Sequence, residues 1–182
     1  SSSYSFYNTA ALQSNSVGFN GGGFDGRYVY FVPFAKSQIT RYDTTNNFSS
    51  STSYSFFSTV SLQSNSTGFS GATFDGRYMY FIPQQGGNAS FAGLITRYDT
   101  QLPFTVNSSY SSFDTTTVQS NSGGFASAIF DGRYLYFIPY RTKITYSGQI
   151  TSFDTTLPFT SASSYSFFNL KNLNSFAAGF SA

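Results

Sequence analysis

The sequence predicts an all-β protein built from repeated four-stranded antiparallel units, three of them complete, with half-units at both ends. Two observations lead to this fold class. A line that reads Phe-Asp-Gly-Arg-Tyr, continues with four apolar or aromatic residues and ends in Pro occurs three times, starting at Phe24, Phe74 and Phe130. In addition, no stretch shows the 3.6-residue apolar period of an amphipathic helix, so essentially no helix is expected.

Each copy of the line begins with a turn. An Asp-Gly pair between apolar stretches is a strong hairpin signal, because Gly accepts a positive φ without steric cost and Asp bonds to its own local backbone. We therefore expect one strand to end at Phe24 and the next to begin after the turn, and likewise in the other copies. The predicted structural turns are Asp25, Gly26, Arg27, Asp75, Gly76, Arg77, Asp131, Gly132 and Arg133.

The strand after each turn is apolar on both of its faces. In the first copy one face carries Val29 and Phe31, and the other carries Tyr28, Tyr30 and Val32. An antiparallel strand with one face in water should have polar residues at alternate positions. The second strand is therefore predicted to be covered on both sides, with its aromatic residues in the core. Pro33 has no amide donor and should end the ladder.

The repeat extends well beyond this line. A Tyr-Ser-Phe triplet or a close variant starts at Tyr4, Tyr54, Tyr110 and Tyr165, and a Gly-Phe pair follows each of them. The Asp-Gly turns are spaced by 50 and then 56 residues, because the loop between the second and third strands varies in length. In the first unit we expect strands near residues 18–24, 27–32, 38–43 and 53–59.

This phasing divides a single repeat domain, residues 1–182, into five segments. Residues 1–17 contain an orphan fourth strand and a linker. The three units span 18–67, 68–123 and 124–174, and residues 175–182 contain an orphan first strand. The sequence shows neither a signal peptide nor an initiating Met, so we expect a processed product or a segment of a longer chain.

Over about 90% of its length the chain resembles a β-propeller repeat protein, which has four-stranded blades and a period of about 40–50 residues. It carries neither a WD nor a kelch signature. The resemblance implies blades that bury their faces only against neighbouring blades. Since propellers have about four to eight blades, three blades and two orphan strands should not close. We therefore expect the chain to associate with itself through its terminal half-units, as a ring or as a fibre.

Composition argues against several function classes. Charged residues make up only 9% of the chain, the net charge is +2, and no basic run exceeds two residues, so no nucleic-acid-binding face is expected. The absence of Cys excludes disulfides and thiolate metal sites. No apolar run is long enough to span a bilayer.

The chain is not expected to be an enzyme. His, Cys and Glu are absent, and nearly all of the seven Asp residues recur with the fold rather than forming one asymmetric group. We therefore expect no catalytic residue and no cofactor, but an Asp–Arg pair in each unit. A repeated calcium site is disfavoured, because each unit offers one or two carboxylates and Ca²⁺ takes six to eight oxygens.

Two further hypotheses involve carbohydrate. The N-glycosylation pattern Asn-x-Ser/Thr occurs at Asn47, Asn65, Asn88 and Asn107. The alternative interpretation of these positions is unmodified polar turns. The first functional hypothesis is an extracellular, non-enzymatic structural repeat protein that assembles with itself, for example into a surface filament, with or without glycans. The alternative is a lectin-like propeller module completed by oligomerisation, in which aromatic rings and polar groups of each blade bind sugars. Tyr and Phe at alternating strand positions favour a core role instead.

Overall fold

The computed structural model describes residues 3–86 and 92–180, and it contains three four-stranded antiparallel sheets. Sheet 1 consists of β1 (Phe19–Phe24), β2 (Tyr28–Pro33), β3 (Gln38–Asp43) and β4 (Tyr54–Ser58). Sheet 2 consists of β5 (Phe69–Phe74), β6 (Tyr78–Pro83), β7 (Leu94–Asp99) and β8 (Tyr110–Asp114). Sheet 3 consists of β9 (Phe125–Phe130), β10 (Tyr134–Pro139), β11 (Gln149–Asp154) and β12 (Tyr165–Asn169).

The predicted all-β fold class is confirmed. In the described residues, the only helical elements are short 3-10 turns of three residues each, next to the fourth strands and their linkers. They are Thr9–Ala11, Ser51–Ser53, Thr59–Ser61, Asn107–Ser109, Thr115–Thr117, Ala162–Ser164 and Leu170–Asn172.

Within each sheet the strands follow chain order, so every connection is a hairpin between neighbours. Tyr30 on β2 pairs with Gly23 on β1 and with Arg41 on β3, and the corresponding residues pair in the same way in the other sheets. Pro33 is the last residue of β2 and lies beyond a bulge in the ladder with β1. The position of this proline agrees with the prediction that it ends the strand.

The three sheets stack in the same orientation, so each inner interface joins two different faces. We call the face that carries Tyr30, Tyr80 or Tyr136 the tyrosine face, and the opposite face, which carries Phe31, Phe81 or Phe137, the phenylalanine face. The tyrosine face of sheet 1 packs on the phenylalanine face of sheet 2, and the tyrosine face of sheet 2 packs on the phenylalanine face of sheet 3. The first strands β1, β5 and β9 lie side by side. This arrangement fits a propeller-like repeat, and the three sheets do not close.

Burial of the second strand depends on the position of its sheet. In β6 both faces are fully buried, since Met79, Tyr80, Phe81 and Ile82 are all 0% exposed. In β2 and β10 one face is buried and the other is only partly covered. The prediction of burial on both sides therefore holds for the middle sheet. It fails for the outer sheets because each of them packs on one neighbouring sheet only.

The end segments differ from the expected orphan strands. Neither residues 3–8 nor residues 176–180 form a strand in the structure. A fourth strand needs a third strand beside it, and the described residues offer no unpaired third strand to residues 3–8. The N-terminal segment nevertheless lies against sheet 1, because the ring of Tyr7 stacks on the ring of Tyr54.

The linkers that enter each sheet are fixed by the same buried hydrogen bonds. The hydroxyls of Ser66 and Thr96 are 2.6 Å apart, and equivalent Ser–Thr pairs occur in the other two sheets. The hydroxyl of Thr59 also donates to the carbonyl of Ser66. Among the described residues every buried side-chain polar atom has a hydrogen-bond partner. These linkers thus place each new sheet at a fixed position relative to the one before it.

Candidate functional site

The Asp-Gly-Arg turns have one common geometry. Gly26 has φ = 100°, a value that favours glycine, and Gly76 and Gly132 are alike. One carboxylate oxygen of Asp25 accepts hydrogen bonds from the backbone N–H groups of Arg27 and Tyr28, at 2.9 and 2.6 Å. The same bonds form at Asp75 and Asp131. The carboxylates of the turns are thus engaged in holding the hairpins.

The second carboxylate oxygen of the turn binds a tyrosine of the following strand. The hydroxyl of Tyr30 donates to Asp25 at 2.6 Å, and that of Tyr80 donates to Asp75 at 2.7 Å. Burial and this hydrogen bond raise the pKa of both tyrosines above the ordinary value. In sheet 3 the hydrogen bond from Tyr136 to Asp131 raises the pKa of Tyr136. This link was not predicted from the sequence, although Asp and Tyr are separated by a constant five residues in all three copies.

Each sheet also contains one Arg–Asp pair. Arg27 bonds to Asp43 with its Nε and Nη2 groups at 3.2 and 2.6 Å, and Arg77 and Arg133 pair with Asp99 and Asp154. The hydrogen bond from Arg27 holds the pKa of Asp43 well below its usual range. These pairs join the hairpin turn to the end of the third strand, so these charged side chains have a structural role in each sheet.

A second set of arginines connects one sheet to the next. The guanidinium of Arg41 lies between two rings, 4.1 Å from the centroid of Tyr28 and 4.3 Å from that of Phe104 in the neighbouring sheet. Arg97 lies in the same way between Tyr78 and Phe159, at 4.0 and 4.3 Å. Such cation–π contacts stabilise the sheet interface. At the corresponding position sheet 3 has Ser152, on its outward tyrosine face.

A phenylalanine from the loop before each fourth strand anchors an aromatic cluster. Phe104 packs against Tyr30, Phe57, Tyr98 and Tyr110, with centroids 5.4–6.3 Å away. Phe159 packs in the same way against Tyr80, Phe113, Phe153 and Tyr165. In sheet 1, Phe48 packs against Tyr7, Tyr42 and Tyr54. Phe104 contacts Tyr30 of the preceding sheet. Among the described residues, no tyrosine of a preceding sheet makes the equivalent contact with Phe48.

The N-terminal segment completes part of this incomplete cluster. Phe57 stacks on Tyr110 at 3.9 Å and Phe113 stacks on Tyr165 at 4.5 Å, in each case from one sheet to the next. Tyr7 takes the same position on Tyr54, at 4.8 Å with the rings 5° from parallel. Burial raises the pKa of Tyr54 to about 12. Residues 3–8 therefore occupy the place of a fourth strand from a preceding sheet.

Two outward faces remain, the phenylalanine face of sheet 1 and the tyrosine face of sheet 3, and both expose apolar side chains. On sheet 1, Phe24 is 53% exposed, whereas its counterparts Phe74 and Phe130 pack against the two cores. On sheet 3, Ile129 is 59% and Phe168 is 51% exposed. These two faces are of the kinds that pack on one another inside the chain, and together they form the candidate functional site.

A small cavity of about 170 Å³ lies on the outward face of sheet 3. It is lined by Tyr136, Ile150, Ser152, Ser166, Phe167 and Phe168. At the two inner interfaces, the equivalent region is filled by an arginine of the same sheet, Arg41 or Arg97. A phenylalanine ring of the next sheet, Phe104 or Phe159, packs on that arginine. The cavity thus has the size and apolar lining to accept an aromatic side chain.

The predicted glycosylation positions lie in loops where the structure describes them. Asn47, Asn65 and Asn107 are exposed, in the connections between strands. The side chain of Asn107 exchanges hydrogen bonds with Ser61 across two sheets, at 3.2 and 3.4 Å. Asn88 lies outside the described residues. The amides at Asn47 and Asn65 are accessible to a glycan without disturbing a strand.

In residues 3–86 and 92–180 no group of three or more acidic, His or Cys side chains comes together as metal ligands would. Across the same ranges, none of the helical elements has the length and apolar character needed to cross a membrane.

No family model matches the chain, and no curated protein resembles it significantly. Thirty-one chains of solved structures are similar in fold. Hydrazine synthase of Kuenenia stuttgartiensis matches with a TM-score of 0.50 and 14% identity, over 75% of this chain and 34% of that one. PorZ, a surface component of the type-IX secretion system of Porphyromonas gingivalis, matches with a TM-score of 0.49 and 12% identity, over 83% and 16%. The chain thus spans about a third or less of these proteins, and the likeness concerns the fold alone.

Proposed function

We propose that the chain is an extracellular, non-enzymatic structural repeat protein that assembles with itself through its two ends. The observation that carries this proposal is the exposed tyrosine face of sheet 3. Tyr30 and Tyr80, on the inner tyrosine faces, are 0% exposed because a neighbouring sheet covers them, whereas Tyr136 is only half-buried. Repeat units bury such faces only against another unit. A second copy of the chain can supply that unit.

The way in which the sheets stack allows two kinds of assembly. The outward faces of sheets 1 and 3 are different surfaces, so a contact between them is head-to-tail. If the rotation closes, copies form a ring that completes a β-propeller, which needs about four to eight blades. If it does not close, they form a filament. Either product fits a structural role at a cell surface.

Glycosylation belongs to the same proposal. Low charge and many polar hydroxyl and amide side chains suit a secreted protein that carries glycans, and three sequons are exposed on loops. Asn65 lies in the linker between β4 and β5, so a glycan there leaves the proposed contacts open.

Electron microscopy of the undenatured protein, with intact mass measured on the same sample, tests this function. Rings of two or more copies, or long fibres, would support it, and mass above 19.9 kDa in hexose-sized steps would add glycosylation. A compact monomer that persists at high protein concentration would contradict it. Peptide mapping at Asn47, Asn65, Asn88 and Asn107 would identify the modified positions.

The alternative function is a lectin-like binding module. Two equivalent polar grooves favour it, one of about 250 Å³ that includes Asn65 and Asp114, and one of about 160 Å³ that includes Asn121 and Asn169. Among the described residues, the lining of the first groove contains no aromatic ring on which a sugar could stack. A glycan array is the test, and micromolar binding of a sugar by discrete closed rings of the chain would favour this alternative.

A further inference from the structure

We propose that the tyrosine face of sheet 3 docks on the phenylalanine face of sheet 1 of a second copy, in the register of the two inner interfaces. This inference rests on the proposed self-assembly and identifies the surfaces and residues that meet. The partner is a second copy because the two outward faces continue, at both ends, the packing that joins the three sheets inside the chain.

Residues on and beside the first strands of adjacent sheets are complementary in size. Gly23 on sheet 1 faces sheet 2 so closely that a Cβ atom there would lie 2.7 Å from Sδ of Met79 and 3.1 Å from Cβ of Ala72. At the next interface, Thr73 is the counterpart of Gly23, and its hydroxyl donates to the carbonyl of Ala128 at 2.7 Å. At the interface between sheets 1 and 2, a glycine therefore meets two larger residues of the next sheet.

At the outward faces the larger residue lies on sheet 3 and the smaller residues lie on sheet 1. The counterpart of Gly23 on sheet 3 is Ile129, which pairs with Tyr136 as Gly23 pairs with Tyr30. The counterparts of Met79 and Ala72 on sheet 1 are Val29 and Gly22. Ile129, which is larger than Gly23, would thus meet Val29 and Gly22, which are smaller than Met79 and Ala72, and this exchange conserves the packed volume at the contact.

The incomplete aromatic cluster around Phe48 also supports this docking. In the same register, Tyr136 of one copy would stand beside Phe48 of the other, where Tyr30 stands beside Phe104. The ring of Phe48 would then enter the cavity next to Ser152. The docking therefore fills the apolar cavity on sheet 3 and completes the cluster on sheet 1.

The docking has one steric consequence. Phe168 of one copy and Tyr7 of the other would stack on the same ring, Tyr54, since both correspond to Phe57 on Tyr110. Residues 3–8 must therefore leave this position when β12 of a second copy arrives. The N-terminal segment acts as a removable cap over the docking face.

The test is a pair of substitutions that recreate the inner interface. Val29→Met gives sheet 1 the side chain that sheet 2 has, and it should collide with Ile129 of the second copy. Ile129→Gly alone should also weaken association, because it leaves a hole against Val29. The two changes together restore the glycine–methionine pairing seen between Gly23 and Met79.

Association is measured by sedimentation velocity over a concentration series, with a thermal melt to confirm that each variant is folded. We expect Val29→Met to weaken association by about tenfold or more, and the double variant to associate more tightly than Val29→Met. The proposed register would be overturned if Val29→Met associated as tightly as the unaltered chain. It would also be overturned if the loss of association in the double variant equalled the sum of the two single losses. If the unaltered chain stays monomeric, the proposed function itself fails.

Discussion

Two tyrosines at equivalent positions, Tyr80 and Tyr136, show how the environment of a residue in this repeat depends on the neighbouring sheet. Both follow an Asp-Gly turn and hydrogen-bond to its aspartate. Tyr80 is 0% exposed because sheet 3 covers it, whereas Tyr136 is half-buried on an outward face. The two residues therefore form a matched pair for measuring the effect of a neighbouring sheet on stability.

We expect Tyr80→Ala to lower the free energy of unfolding by about 3–5 kcal/mol, as for other large-to-small aromatic changes in a core. Tyr136→Ala should lower it clearly less in the monomer, because less surface leaves water at that position. Chemical denaturation of both variants at low protein concentration measures the difference. Equal losses, or an unchanged unfolding curve for Tyr80→Ala, would contradict the burial described here.

Because of the Arg–Asp pairs, we expect the folded protein to lose stability in acid. Hydrogen bonds from Arg27 and Arg133 hold the pKa values of Asp43 and Asp154 below the ordinary value of 3.8. As the pH falls below about 4, the unfolded chain takes up protons that the folded chain does not, so these pairs stop stabilising the fold. The melting temperature should fall between pH 4 and pH 2, and less steeply in Asp154→Asn. A melting temperature independent of pH in this range would contradict the role of the pairs.

At the scale of elements, the most informative segment is the N-terminal one. Residues 3–8 have the sequence of a fourth strand, but the structure places them against sheet 1 without strand pairing. Within this segment the ring of Tyr7 stacks on the ring of Tyr54. This contact resembles those between the fourth strands of adjacent sheets, so the segment covers the surface that a second copy would need.

Tyr7→Ser should therefore promote association, because it removes the ring that competes for Tyr54. The matched control is Phe6→Ser, since Phe6 belongs to the same segment and is 88% exposed. Sedimentation velocity should show assembly of the Tyr7 variant at a lower concentration than for the control or the unaltered chain. Weaker assembly of the Tyr7 variant would mean that the segment supports the contact instead of capping it.

The strands and turns could largely be predicted from the sequence, because their signals are local. The Asp-Gly pairs locate the hairpins, and the apolar strands after them locate the middle of each sheet. The aromatic clusters could not be predicted, since they depend on which face of one sheet packs on which face of the next. The position of Phe104 does have a local signal, because a Phe stands six residues before the Tyr that begins each fourth strand. However, Phe104 contacts Tyr30 of another sheet, and no local pattern predicts that contact.

At the scale of the whole molecule, the chain is a stack of three sheets with a direction. Each tyrosine face packs on the phenylalanine face of the next sheet, and one face of each kind is left at the ends. A stack of this kind can continue only by adding a copy in the same orientation. The proposed assembly is therefore head-to-tail, and a contact between two identical faces would be incompatible with it.

Site-directed cross-linking tests this claim most directly, because the chain contains no native Cys. Ile129→Cys and Val29→Cys are prepared separately, mixed under assembling conditions and treated with a short bifunctional maleimide. We predict a cross-linked dimer that joins position 129 of one variant to position 29 of the other, and no dimer from either variant alone. Dimers formed by one variant with itself, or assemblies in which the mixture gives no cross-link, would contradict head-to-tail docking of these two faces.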